Sequence, residues 1–99
     1  MARFHVYENA DGEGYLLDVQ ANLLEHLNTC VVVPLLPLGT SPKPASVLNP
    51  VFEIERAPHV MATQFMAAVP RRLMSADVLS LEHEAQVIVR ALDCLFQGI

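Results

Sequence analysis

The chain has 99 residues, 53% of them apolar and 17% charged, with six Lys or Arg against eleven Asp or Glu and a formal net charge of −5. That length sets one domain, residues 1–99, with material for a single core. So few cations exclude unaided binding to nucleic acid, whose affinity comes mainly from neutralised phosphates, and a polybasic membrane contact.

The remaining bounds are compositional. The mean hydropathy of +0.35 is high for a small domain, and a protein–protein interface is a natural place for the surplus. No apolar run reaches the roughly 18 residues of a membrane-spanning helix. MARFHVYENADGEGY lacks the basic start and apolar stretch of a signal peptide. Cys30 and Cys94 each sit in an apolar run; two cysteines do not make a disulfide framework, and they read as buried free thiols in a reducing cytoplasm.

Taken in chain order, Phe4, Val6 and Tyr15–Val19 predict two strands of a hairpin around the segment NADGEG. Asp11-Gly12 suits a turn that needs positive φ at both central residues. Ala21 or Asn22 to Leu27 predicts a short helical turn. TCVVVPLLPL is rich in β-branched residues, and Pro34 and Pro37 put such a strand at an edge or a bulge, or end it. The proline- and serine-rich stretch Gly39–Pro50 predicts a loop. Val51–Glu55 and Val60–Ala68 predict two more strands, with a turn at Pro58 between them and Pro70 closing the second. At least five strands before a single terminal helix predict a small α+β domain, mainly β, with a barrel-like antiparallel sheet packed by a long C-terminal helix.

That helix carries the densest pattern. Leu81, Ala85, Ile88, Leu92, Leu95 and Phe96 form one stripe at helical spacing, behind a capping Ser80 and the acidic Glu82 and Glu84. Val87, Ala91, Cys94 and Gly98 form a second, smaller stripe, and Gln97 belongs to the polar sector with Arg90 and Asp93. A helix apolar over more than half its circumference packs on two sides, so the small stripe predicts close approach by a second helix or subunit. The ending CLFQGI is either docked on its own domain or held out for a partner.

Chemistry-bearing patterns are missing. His5, His26, His59 and His83 are scattered, with no Cys-x-x-Cys or His-x-x-x-His, so no metal or cofactor is expected and the histidines read as solvated or singly satisfied. Glu53 and Glu55 share a strand face, which alternation explains without acid–base catalysis. Arg71-Arg72 reads as a solvated turn. There is no phosphate-binding glycine loop and no nucleophile elbow. No catalytic residue is predicted, and the protein is not expected to be an enzyme.

Six collinear stretches, FHVYEN, LDVQANLL, VVVPLLPL, LNPVFEI, MATQFMAAVP and the terminal LFQGI, resemble the CcdB toxins of bacterial type II toxin–antitoxin modules. The similarity spans almost the whole chain and is weakest over Asn9–Gly14 and Gly39–Val47. It implies a small antiparallel sheet related to SH3-like barrels, with a long C-terminal helix, in a two-fold homodimer. It also implies a function: the dimer binds the A subunit of DNA gyrase, traps the enzyme on cleaved DNA, and is neutralised by a CcdA-type antitoxin. DNA is met only indirectly, when the toxin–antitoxin complex represses its own operon. The family's gyrase-contacting tail corresponds to Gln97, Gly98 and Ile99, and the subunit contact is placed on Val87, Ala91, Cys94 and Gly98. The best-known members carry tryptophan where this chain has Gln97. Some members have a basic loop after the first strand, whereas Glu8, Asn9, Asp11 and Glu13 make an acidic candidate surface for the antitoxin here.

Two other readings stay open at this point. One is an endoribonuclease of the MazF or Kid type, which shares the fold but needs a cationic groove; Arg3, Arg56, Arg71, Arg72 and Arg90 are dispersed. The other is a CcdB homologue that no longer poisons gyrase and only binds antitoxin, a reading that Gln97 favours.

Overall fold

The computed structural model of the chain describes residues 3–10, 12–41, 43–75 and 77–99. β1 (His5–Glu8) and β2 (Tyr15–Asp18) form the expected hairpin, pairing Val6 with Leu17 and Glu8 with Tyr15. The turn differs from expectation. Asp11 lies outside the described residues, and positive φ falls at Gly14 (83°) rather than Gly12. A Cβ on Gly14 would overlap the Leu35 carbonyl oxygen, so glycine lets two strands approach there. The short turn expected after β2 is a 3-10 turn at Asn22–Leu24.

β3 (Thr29–Pro37) is the longest strand; it ends at Pro37, one of the outcomes its prolines suggested, and lies inside the sheet rather than at an edge. It pairs with β2 on one side and, on the other, with β6 (Ala67–Pro70) and then β5 (Ala57–Met61). The prolines are tolerated because of where their missing N–H groups would point. Val31 accepts from Val19 at 3.2 Å and Pro34 accepts from Ala62 at 2.9 Å, so backbone groups of even-numbered β3 residues face away from β2. Pro34 thus falls where pairing passes from β6, ending at Val32, to β5, beginning at Leu35. Pro37 faces the β2 side, beyond the last pair Tyr15–Leu35. Neither removes a ladder bond.

β4 (Val51–Ile54) alternates as its sequence predicts, with Phe52 and Ile54 buried and Val51 and Glu53 exposed. The turn into β5 is at Glu55–Arg56, not at Pro58. Both residues have positive φ (52° and 68°), which closes a two-residue hairpin between the paired Ile54 and Ala57. The single strand expected over 60–68 is broken by a 3-10 turn, Thr63–Phe65. Thr63 is fully buried and donates its hydroxyl to the Leu48 carbonyl at 2.5 Å, while Asn49 donates to the Met61 carbonyl at 3.0 Å. These bonds seat the proline-rich loop on the turn. A further strand, β7 (Asp77–Ser80), pairs with β1 through an irregular register between Val6 and Tyr7. The result is one curled antiparallel sheet of seven strands, ordered β4-β5-β3-β2-β1-β7 with β6 beside β3.

The terminal helix begins with a 3-10 turn at Glu82–Glu84 and continues as α1 (Ala85–Gln97). Ser80, expected as the cap, stands one residue before the N-cap Leu81, which has no side-chain cap bond; the Ser80 Oγ accepts from the Glu82 N–H at 3.1 Å. Gly98 closes α1 in the left-handed conformation (φ 72°) and donates to the Cys94 carbonyl at 3.1 Å. Leu81, Ile88 and Ala91 are buried against Val6, Leu17, Leu35, Ile54 and Met61, with Ala85, Val89 and Leu92 packed around them. The two proposed stripes therefore need correction at two positions. Ala91 is fully buried in its own core, whereas Phe96 is 69% exposed and leaves it. The buried line runs through residues 88 and 91, and Phe96 lies about 140° round the helix from Ala91.

Candidate functional site

Three surfaces follow from this architecture. The first is the end of α1. Phe96, Gln97, Gly98 and Ile99 are all exposed, Ile99 to 76%, and Leu95 is half-buried beneath them. Gln97 leans toward Asp93 at 3.5 Å, the outer limit of a hydrogen bond. The three predicted tail residues are thus brought together on the surface, with Phe96 added to them. Of the small stripe, Val87 and Gly98 are exposed and Cys94 is half-buried, but Ala91 has no surface to offer a second subunit. Val87 instead borders a shallow concavity with Arg90, Ser46 and Val47.

The second surface is the 20s loop. Leu23 is 84% exposed, and Leu24 and Leu27 are also exposed. The expectation of a solvated Arg71 is corrected here. Its Nε–H donates to the Leu27 carbonyl at 2.8 Å and its backbone N–H to the Asn28 carbonyl at 2.8 Å, so it latches this loop to the end of β6. One guanidinium nitrogen, Nη1, is buried without a partner among the described residues. The signal in the sequence was the pair Leu23-Leu24 inside an otherwise polar stretch.

The third surface is the mouth of the curled sheet beside the β1–β2 loop. Strand alternation places Glu8, Tyr15, Leu35, Pro37, His59 and Phe52 on its inner face, since cross-strand partners share a face. An open concavity of about 510 Å³ lies there, lined by Glu8, Glu13, Tyr15, Pro37 and His59 among others. His59 is 6% exposed, and Ala57 accepts from its Nδ1 at 2.9 Å. The Tyr15 ring meets the imidazole edge-on at 5.1 Å between centroids. Burial, and after it the nearby carboxylates of Glu55 and Glu8, push the Tyr15 phenol above its ordinary range. Of the four predicted loop residues, Glu8, Asn9 and Glu13 line this concavity, and Asp11 lies outside the described residues.

Both cysteines are free; Cys30 is buried as expected, and Cys94 is half-buried. Burial, a hydrogen bond to Asp18 and the Asp18 charge push the Cys30 thiol up to about 12, so it is an inert part of the core. Among the described residues no group of three or more His, Cys, Asp or Glu is placed to hold a metal ion. Among them, too, no helix is long and apolar enough to cross a membrane.

The CcdB protein family matches residues 3–98. The chain belongs to the CcdB family. That places it among the toxins of type II toxin–antitoxin modules. The CcdB match takes in all seven strands, α1, and Gln97 and Gly98 of the exposed tail. No curated protein shows a significant match to the chain.

Proposed function

We propose that this chain is a non-enzymatic poison of DNA gyrase, acting as a homodimer whose exposed tail, Gln97, Gly98 and Ile99, engages the gyrase A subunit. The observation that carries the reading is the family match through residue 98 on a chain whose last four residues all stand in solvent. A two-fold dimer presents the same helix end twice, which suits a two-fold enzyme gate. In the subunit contact, Val87, Cys94 and Gly98 keep surface for a second copy. A CcdA-type antitoxin neutralises the toxin, with its contacting segment matched to the acidic surface of Glu8, Asn9, Asp11 and Glu13, and DNA is reached only through that complex.

Expression in cells with ordinary and with altered gyrase A, scored for growth and trapped cleaved DNA, tests the proposal. Arrest confined to the ordinary strain supports it, and arrest in both overturns it. A second reading is favoured by one observation: glutamine at residue 97 offers a fraction of the stacking area of the family's tryptophan. On that reading the chain binds antitoxin without poisoning gyrase. Gln97→Trp then creates toxicity in a chain that lacks it, whereas on the main reading it strengthens toxicity already present.

A further inference from the structure

We propose that the concavity between the 20s loop and the end of β6 receives a carboxylate from a partner polypeptide, gripped by Arg71 with Arg72 beside it. Arg71 is a cation that the folded chain leaves incomplete. It is partly buried, yet among the described residues no carboxylate lies within ion-pair distance of it. Its Nε–H is satisfied by the Leu27 carbonyl at 2.8 Å, but Nη1 is buried with no partner among the described residues. A buried donor without an acceptor is costly, and more so on a charged group.

Nη2 is little better placed. Its acceptor is the Leu24 carbonyl at 3.5 Å, the outer limit of a hydrogen bond. That oxygen already accepts from the Leu27 N–H at 3.1 Å and from Gln20 Nε2 at 3.3 Å. A carbonyl oxygen has two lone pairs, so the long bond from Arg71 is the surplus one. Both terminal nitrogens of the guanidinium therefore have donors to give. Giving them away leaves the Leu24 carbonyl satisfied, and the Arg71 Nε–H and backbone N–H still hold Leu27 and Asn28. A small turn about the bond to Leu27 carries Nη1 and Nη2 outward as a pair, the arrangement that takes a carboxylate bidentately.

The surroundings fit that occupant. An open concavity of about 550 Å³ is lined by Arg71, Arg72, His26, Leu27 and Glu25 among others. Two of the chain's six Lys and Arg stand here side by side, with Glu25 as the acidic residue of the lining. Arg72 is exposed and makes no hydrogen bond or ion pair among the described residues. The net charge of −5 selects the source of the carboxylate. A nucleic acid would bring a run of phosphates to an acidic chain, whereas a protein segment brings a single anionic group with apolar neighbours. Leu27 in the lining and the exposed Leu24 offer those neighbours a contact. The carboxylate is selected by the geometry of Arg71, whatever the target of the toxin.

The test uses the full-length protein labelled with 15N and three probes: acetyl-Leu-Glu-Leu-amide, its Gln counterpart and inorganic phosphate. The Glu peptide should shift the Nε–H resonances of Arg71 and Arg72 and the amides of Leu27 and Asn28 saturably, and added salt should weaken it. The Gln peptide should bind about tenfold more weakly. No saturable shift, or a Gln peptide equal to the Glu peptide, overturns the inference. Phosphate that binds as tightly as the Glu peptide overturns the polypeptide as occupant. Arg71→Lys, which keeps the charge and loses the fork, should weaken the Glu peptide about fivefold and leave the Gln peptide unchanged. An equal loss for both peptides marks a displaced loop and overturns the bidentate grip, as does no loss for either. Arg72→Gln, at an exposed position, should weaken the Glu peptide about threefold. Unchanged affinity in that variant overturns the paired site even where Arg71→Lys fails to fold.

Discussion

Deleting residues 97–99 separates a contact surface from a structural tail. In the folded chain these residues contribute little. Ile99 is 76% exposed, and full burial of such a side chain is worth about 1.5–3 kcal/mol, so the portion already buried is worth about 0.5 kcal/mol. Gly98 adds the bond from its N–H to the Cys94 carbonyl at 3.1 Å, a net contribution of about 1 kcal/mol. The Gln97–Asp93 contact at 3.5 Å is exposed and long, and its contribution is small. The deletion should therefore cost about 1–1.5 kcal/mol, a fall in melting temperature of about 5–10 °C for a domain of this size. Urea or thermal unfolding reads the stability, and growth arrest with gyrase A capture reads the function. The expected variant unfolds cooperatively, still binds antitoxin and no longer arrests growth. A variant that has lost its cooperative transition would refute the structural reasoning, because the tail would then be core. Full toxicity in a folded variant would refute the proposed contact.

Other expected outcomes concern the backbone and a buried thiol. Gly14→Ala forces a Cβ into the Leu35 carbonyl at φ 83° and should destabilise by at least about 2 kcal/mol in a urea titration. A near-neutral result would mean that the hairpin relaxes freely. Glu55→Asn with Arg56→Gly puts the residues preferred for positive φ into the β4–β5 turn and should raise stability by about 1 kcal/mol, seen as a higher urea midpoint at unchanged slope. For the thiol, the folded state keeps Cys30 protonated up to about 12, whereas the unfolded chain ionises it above about pH 9. Stability therefore falls as pH rises through that window, by about 1.4 kcal/mol at pH 10. Urea midpoints at pH 8 and pH 10 check this, and the same decline in Cys30→Ala would exclude the thiol as its cause. Alkylation of the folded chain should reach Cys94 well before Cys30.

Local pattern was legible wherever the physics is local. The alternation of Val51–Ile54, the pairing of β1 with β2 and the 3.6-residue repeat of Ile88 and Leu92 all depend on near neighbours, and each was formed as read. Gln97, Gly98 and Ile99 were singled out by family resemblance, and their common exposure followed. The failures have a single physical cause, which is that they turn on partners distant in sequence. Pro34 and Pro37 suggest an edge, a bulge or a strand end until the pairing of β5, β6 and β2 shows that Pro34 sits inside a central strand and Pro37 at its end. Ala91 looked like part of an outer stripe because its size, not its depth, was visible. Glu55-Arg56 carries no glycine to announce a positive-φ turn, and the tertiary hairpin holds both residues there regardless.

The mouth of the sheet was hidden for the same reason. Glu8, Tyr15, Pro37 and His59 are separated by up to 51 positions, and nothing in any one stretch links them. By itself the sequence determined the first two strands, the alternation of Val51–Ile54, the terminal helix, the acidic character of the first loop and the resemblance to the CcdB family, because periodicity and charge are read over a few residues. Only the tertiary structure decided which strand is central, which helix residues have surface to offer, and that His59 is buried against the Tyr15 ring. Those depend on how the sheet curls, and curling is a property of all seven strands together.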